Sequence, residues 1–431
     1  MKQESIPVID QTFMGIEVDV GRAAHTVTKA LDYVGIDDKS HGRRVGLISH
    51  RLAHGLGWNK ERRHFALIAG MLHDCGVSST SVHKKLIAEL EWDGAEEHCI
   101  RGQYFLNSFD PFKRYSDTIR HHHTRWEHLP PSLDESVKEY SNLIYLADRL
   151  DVIYASYISE NPLHLVLLEK NNILDKLRPY IGTLFSESNF HALEIAAKRD
   201  SFWLDLRDEY LDDSIFEVLS SGDYKISLAF EDIEALGELI SQIVDAKSPF
   251  THYHSIRVAD IAFRMADLLG LDDFTKRILR ITGLLHDVGK LRTPDEILEK
   301  PGGLSPEELA QMHSHPHDSK RVLKGLFPDT PIAKWASQHH EKLDGSGYPY
   351  GWSNEQIDLP TRILSISDIF QALSQKRPYR GRLTVKEVLT IMDDMVSGGQ
   401  LDRDVYSVLK DNQNDFYELA IKEGTENFSR F

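Results

Sequence analysis

The stretch Leu284–Glu308 reads LLHDVGKLRTPDEILEKPGGLSPEE, and its first seven residues set the direction of the reading. Leu284 and Leu285 lead into His286-Asp287 on a helical segment, and Lys290 follows on the same side of the helix end. From Pro294 to Ser305 proline and glycine concentrate, which marks a loop among helices. Adjacent helical residues lie about 100° apart, so His286 and Asp287 serve one chemistry only if both border a single cavity. A lone His-Asp pair carries little weight, and the rest of the chain must supply the context.

Working outward, His254 opens the segment HSIRV thirty-two residues before His286, while His315, the pair His339-His340 and Asp368 come after it. The first half holds the same order. His41 opens HGRRV thirty-two residues before His73-Asp74, and His98, His121-His122 and Asp148 follow. Two ordered sets sharing one long spacing indicate a duplicated unit. The pattern between the anchors is helical: in His254–Leu269 the residues Val258, Ile261, Ala262, Met265, Leu268 and Leu269 recur at helical spacing, and Gly270 stands at the C-cap. The expectation is an all-α chain of two tandem helical domains, residues 1–195 and 196–431, with helical connecting material from about Val152 to Ile240.

Imidazole and carboxylate suit iron, manganese, nickel or zinc, and no thiolate belongs to the set. Seven ligands (His254, His286, Asp287, His315, His339, His340 and Asp368) exceed the needs of one ion with open positions. They suit two ions, with Asp287 as the bridge. A metal pair ~3.5–4 Å apart lowers the pKa of a bound water and stabilises charge on the attacking and leaving oxygens, which is the chemistry of phosphoester hydrolysis. Lys290 can reach a non-bridging phosphate oxygen. Arg377 and Arg380, in KRPYR, offer planar forks for phosphate or faces for a base, although isolated arginines are commonly solvated surface groups.

Composition bounds the answer. A chain of 431 residues exceeds one growing core, and 41% hydrophobic with 27% charged residues is ordinary for a globular protein. The formal net charge of −17 argues against a basic face for DNA or RNA, yet leaves room for a small anionic substrate where bound cations reverse the local potential. Cys75 and Cys99 form no CxxC pair, so a reducing cytoplasm is expected. The N-terminus shows no apolar h-region, and no run approaches the ~20 apolar residues of a membrane span.

The opening stretch, with HSHP (313–316), HHEKLDGSGYPYG (339–351), SDIFQAL (367–373) and RPYR (377–380), resembles the HD-GYP subgroup of the HD phosphohydrolase superfamily from about Asp245 to Asp404. The resemblance implies a helical fold with two or three metals, commonly iron or manganese. It also implies hydrolysis of cyclic di-GMP to linear pGpG or onward to GMP; some members cleave the mixed guanine–adenine cyclic dinucleotide. Carried over by position, it implies the seven ligands above and Lys290 as a phosphate contact. Arg377 and Arg380 become substrate contacts, and Gly345, Gly347, Tyr348 and Pro349 the signature loop, which either lines the substrate or docks a protein partner. Three departures stand out. Phe250 replaces the Glu of three-metal relatives, which favours two ions; Ser248 replaces a common acidic residue; and Gln371 replaces an Asp three positions after the last ligand.

The first half resembles a divergent HD domain. Val77 stands where Lys290 stands, and His122 runs into HTRWEHLPP with no DGSGYP. Its set His41, His73, Asp74, His98, His121, His122 and Asp148 reads either as a second metal site or as a regulatory or packing module with buried polar relics. For the whole chain three functions stay open: hydrolysis of cyclic di-GMP, hydrolysis of the mixed dinucleotide, and a non-catalytic role in sensing nucleotide or docking a signalling partner.

Overall fold

The computed structural model describes residues 18–32, 40–77, 79, 82, 85, 86, 94–160, 165–221, 228–246, 253–375 and 381–422. Among these residues the chain is helical, with isolated bridges such as Asp344 with Ser353 and no paired strands. The periodicity of 254–269 yields the helix His254–Leu268, which buries Val258, Ile261, Ala262 and Met265. Leu268, at the helix end, stays 39% exposed, and Gly270 follows with φ +74°.

The duplication is visible helix by helix. His41–Gly55 packs on Lys60–Leu72 as His254–Leu268 packs on Asp273–Leu285. The second helix of each pair has a matching N-cap: Asn59 accepts from the Arg62 amide at 2.9 Å, and Asp272 accepts from the Thr275 amide at 2.9 Å. Ala95–Asn107, Ser116–Arg120 and Glu135–Glu160 then correspond in order to His315–Leu326, Ile332–Gln338 and Leu359–Ser374.

Helices between the two units divide unevenly. Glu187–Ala197 and Asp208–Ser220 both pack on His41–Gly55. Trp203 is fully buried there, and Asp212 accepts from Arg43 Nη1 at 2.7 Å. The boundary expected at 195–196 therefore falls inside a helix, and the chain through Ser220 packs with the first half because its apolar face and its ion pairs are satisfied there. Phe230–Ala246 packs on Asp273–Leu285 of the second half and reaches Ala95–Asn107 of the first. Val20–Leu31 does the reverse: it packs on Lys60–Leu72 and reaches His315–Leu326. Each unit thus lays its leading helix on the helix of the other that carries His98 or His315. Among the described residues no helix is long and apolar enough to cross a membrane.

Candidate metal centre

Helix ends place the second-half set. His254 is the first residue of its helix, His286 caps Asp273–Leu285, His315 begins His315–Leu326, and His339 caps Ile332–Gln338. Only Asp368 comes from mid-helix. Three rings are hooked to a carbonyl three residues back: His286 Nδ1 donates to Gly283 O at 2.7 Å, His315 Nδ1 to Met312 O at 2.6 Å, and His339 Nδ1 to Ala336 O at 2.6 Å. A carbonyl can only accept, so each Nδ1 carries the proton and each Nε2 presents its lone pair to the cleft.

Asp287 stands between two imidazole pairs. Its Oδ2 lies 3.5 Å from His254 Nε2 and 3.3 Å from His286 Nε2, while Oδ1 lies 3.4 Å from His315 Nε2 and 3.7 Å from His339 Nε2. Asp368 closes both sides, with Oδ1 3.3 Å from His254 Nε2 and Oδ2 3.8 Å from His340 Nδ1. The Nε2 atoms of His254 and His286 and Oδ1 of Asp287 are buried with no hydrogen-bond partner. Orphaned donor atoms facing one another at such spacings fit the edges of a coordination shell with bonds of ~2.1 Å. The donor set fits divalent cations.

The electrostatics agree with that reading. Burial pushes the Asp287 carboxyl up, but the electrostatic attraction of the His286 ring, of Lys290 and of the His254 ring outweighs it and holds the group well below the usual carboxylate range. His339 is driven down to about 4, first of all by burial, so it is neutral at pH 7, the ligand form. His254 lies between two carboxylates; burial lowers it, yet the flanking Asp287 and Asp368 raise it to about 9, so without metal the ring holds a proton that a bound cation would displace. Lys290 Nζ reaches Asp287 Oδ2 at 2.5 Å.

The signature loop wraps the last histidine of the pair. Gly345 adopts φ +79°, and a Cβ on Gly347 would lie 2.4 Å from Lys342 N, so the backbone of this turn lies against the chain just after His340. Tyr348 N donates to His340 O at 3.2 Å, and its ring packs against His340 at 4.8 Å. Pro349 follows through a cis peptide bond. Sequence reasoning missed three supports of this arrangement. The Glu341 carboxylate accepts from the amides of Tyr350 and Trp352 at 2.7 and 2.9 Å, His313 stacks on Tyr348 at 3.7 Å, and Ser319 Oγ links Gly289 N to His286 O. The acidic residue directly after the histidine pair was the available signal for Glu341. Arg377, Arg380, Ser248 and Phe250 lie outside the described residues.

The first half builds a second cluster of the same kind. Asp74 Oδ2 lies 3.7 Å from His41 Nε2 and 3.4 Å from His73 Nε2, and Oδ1 lies 3.3 Å from His98 Nε2 and 3.9 Å from His122 Nε2. Asp148 faces His41 Nε2 at 3.4 Å and His123 Nε2 at 3.6 Å. The expected His121 is outside this set, near Thr124, and His123 takes the place. The register is set by the carbonyl hook: His122 Nδ1 donates to Ile119 O at 2.6 Å, which gives His98 and His122 the same 24-residue separation as His315 and His339. The surroundings differ. Arg149 holds Asp148 Oδ2 through Nη2 at 2.8 Å and Nε at 3.1 Å, where the second half has Ile369. The cavity lined by His41, Asp74, Val77 and their neighbours has a volume of about 20 Å³, which is room for one water.

Comparison with known proteins adds the family. The HD domain matches residues 39–153 and, in a second form, residues 238–405. The 3′3′-cGAMP-specific phosphodiesterase 1 of Vibrio cholerae is 35% identical over 407 residues, covering 94% of this chain and 94% of that protein. A cyclic di-GMP phosphodiesterase of Pseudomonas aeruginosa is 34% identical over 158 residues, 36% of this chain and 38% of its own length. The crystal structure of a cyclic GMP-AMP-specific phosphodiesterase of V. cholerae superposes with TM-score 0.64 at 23% identity, covering 92% of this chain and 98% of that one, which shows a shared fold.

Proposed function

The chain belongs to the HD-domain phosphodiesterases of cyclic dinucleotides, with an HD domain in each half, and on that premise we propose that its second half hydrolyses such a dinucleotide at a two-ion centre. The observation that carries the reading is Asp287, whose two carboxylate oxygens each face a separate imidazole pair. In this reading His254, His286 and Asp368 would hold one ion and His315, His339 and His340 the other, with Asp287 as the carboxylate that both would share. Iron or manganese is favoured, with nickel or zinc as alternatives. Two divalent ions, when bound, supply an activated water and charge stabilisation at phosphorus.

The chain's own groups do the rest. Lys290, its ammonium against Asp287, is placed to meet a non-bridging phosphate oxygen. The Gly345–Pro349 loop fixes His340 from behind, which adds a positioning role to the two expected of it. Arg377 and Arg380 hold the second phosphate or a base. Cyclic di-GMP is one substrate. The mixed guanine–adenine dinucleotide is favoured by the near full-length likeness to a 3′3′-cGAMP-specific relative.

In the first half, His41, His73, Asp74, His98, His122, His123 and Asp148 take a metal without turnover. Val77 supplies no ammonium, Arg149 occupies the last carboxylate, and the DGSGYP loop is missing. Buried, unpaired His73 Nε2, Asp74 Oδ1 and Asp148 Oδ1 support metal there. The two free cysteines suit a reducing cytoplasm.

The test is metal analysis coupled to product analysis with both dinucleotides, on protein prepared anaerobically with iron or manganese. Linear or mononucleotide product from metal-loaded protein, lost on chelation, is expected. Fully loaded protein that cleaves neither dinucleotide would overturn the proposal in favour of a sensing or docking role.

A further inference from the structure

The two HD units differ in one buried contact behind their first histidine. In the first half Asp151, three residues after Asp148 and fully buried, accepts from His41 Nδ1 at 2.8 Å. Arg44, three residues after His41, clamps that carboxylate through Nε to Oδ1 at 2.6 Å and Nη2 to Oδ2 at 3.0 Å. In the second half the corresponding residue is Gln371, three after Asp368 and 2% exposed, and its Oε1 lies 2.5 Å from His254 Nδ1. Arg257 keeps the offset of Arg44, but its guanidinium engages the Lys422 carbonyl at 3.2 Å and Asp260 at 3.6 Å. The same two positions thus carry a charged carboxylate–histidine pair in one unit and a neutral amide–histidine pair in the other.

We infer that Gln371 is the positioning residue of His254, and that its neutral amide makes the second-half centre a weaker holder of its ion than a carboxylate would. The inference rests on the metal centre proposed above. An amide oxygen fixes the proton on Nδ1 and leaves Nε2 free to face Asp287 and Asp368. Were the amide reversed, Nδ1 would have to accept, Nε2 would carry the proton, and that nitrogen would be closed to a cation. A carboxylate would orient the ring equally well. It would also polarise the Nδ1–H bond and place a negative charge behind the ligand, which strengthens the imidazole as a donor. Gln371 therefore retains the orientation and gives up the charge.

The test is Mn²⁺ binding to the metal-free 431-residue chain, with free Mn²⁺ read by its EPR signal, which resolves the two units as two classes of site. Gln371→Leu, similar in volume but unable to accept, should loosen one class by roughly 10- to 100-fold, the range for loss of such an outer partner. Gln371→Glu, isosteric, should tighten the same class about tenfold, an effect of the same order and opposite sign. Asp151→Asn should loosen the other class and leave the first alone. Gln371→Leu within twofold of wild type, Gln371→Glu that loosens binding, or both positions acting on one class would overturn the inference. Should the leucine variant fail to fold, the glutamate variant decides. Wild-type protein that takes up no Mn²⁺ would sink the metal centre itself, an outcome separate from any failure of the Gln371 assignment.

Discussion

Replacing Asp287 by asparagine changes one carboxylate oxygen to an NH₂ group and leaves the volume unchanged. Either oxygen is critical: Oδ2 lies 3.3 and 3.5 Å from one imidazole pair, and Oδ1 lies 3.4 and 3.7 Å from the other. An NH₂ in either place cannot ligate a cation, and it removes the unit charge that a shared carboxylate lends to both ions. It also strips Lys290, 2.5 Å away, of its counter-charge. Removing one partner of a buried pair typically costs ~3–5 kcal/mol. If ~4 kcal/mol of that appears in the transition state, turnover falls about 10³-fold. The assay is chromatographic product formation from cyclic di-GMP and the mixed dinucleotide, with metal content measured on the same samples. Loss of at least one ion per chain and a ~10³-fold fall in kcat/KM are expected. Turnover within about tenfold of wild type, with the full complement of metal, would refute the bridging role.

Three further outcomes follow from the geometry. A Cβ on Gly289 would lie 2.0 Å from His315 O and 2.7 Å from Ser319 N, both backbone atoms, so Gly289→Ala should lower the melting temperature by an overpacking cost of at least ~1–3 kcal/mol. Gly303→Ala, with nothing within 4 Å, should leave it unchanged. His123→Ala should lower the metal content or affinity of the first half while His121→Ala does not, and equal effects in plasma-mass-spectrometry analysis would contradict the assigned register. His50, on the helix that begins with His41, is held down to about 3 by burial and then by the charges of Arg51 and Arg63. Its folded value lies below the unfolded one, so its contribution is present above pH 6.5 and lost as pH falls toward 3, at up to ~1.4 kcal/mol per pH unit. His50→Gln should flatten the urea midpoint between pH 6.5 and 4 relative to wild type, and parallel curves would rule the histidine out.

The helical class, the duplication and the second-half residues were legible in the chain because each rests on local information. A thirty-two-residue interval spans two helices whose lengths are set by apolar periodicity and by caps at Asn59 and Asp272, so both copies preserve it. The chemistry of imidazole and carboxylate restricts what such a set can bind before any fold is known. Register was harder. Three consecutive histidines at 121–123 offer two adjacent pairs, and only the hydrogen bond from His122 to Ile119 O selects the one that faces inward. The boundary at 195–196 failed to anticipate helices whose apolar faces look back on His41–Gly55. Gln371 was legible as a departure, but its meaning lies in a contact with His254 across 117 residues of chain. Arg149 on Asp148, where the other copy has Ile369, separates two histidine–aspartate clusters that residue type alone makes equal. Sequence by itself determined the kinds of group available and their order, since periodicity and donor chemistry are properties of neighbours along the chain. Only the tertiary structure decided which atoms face one another, because a buried oxygen or nitrogen acquires its role from the groups that distant helices bring within about 3 to 4 Å.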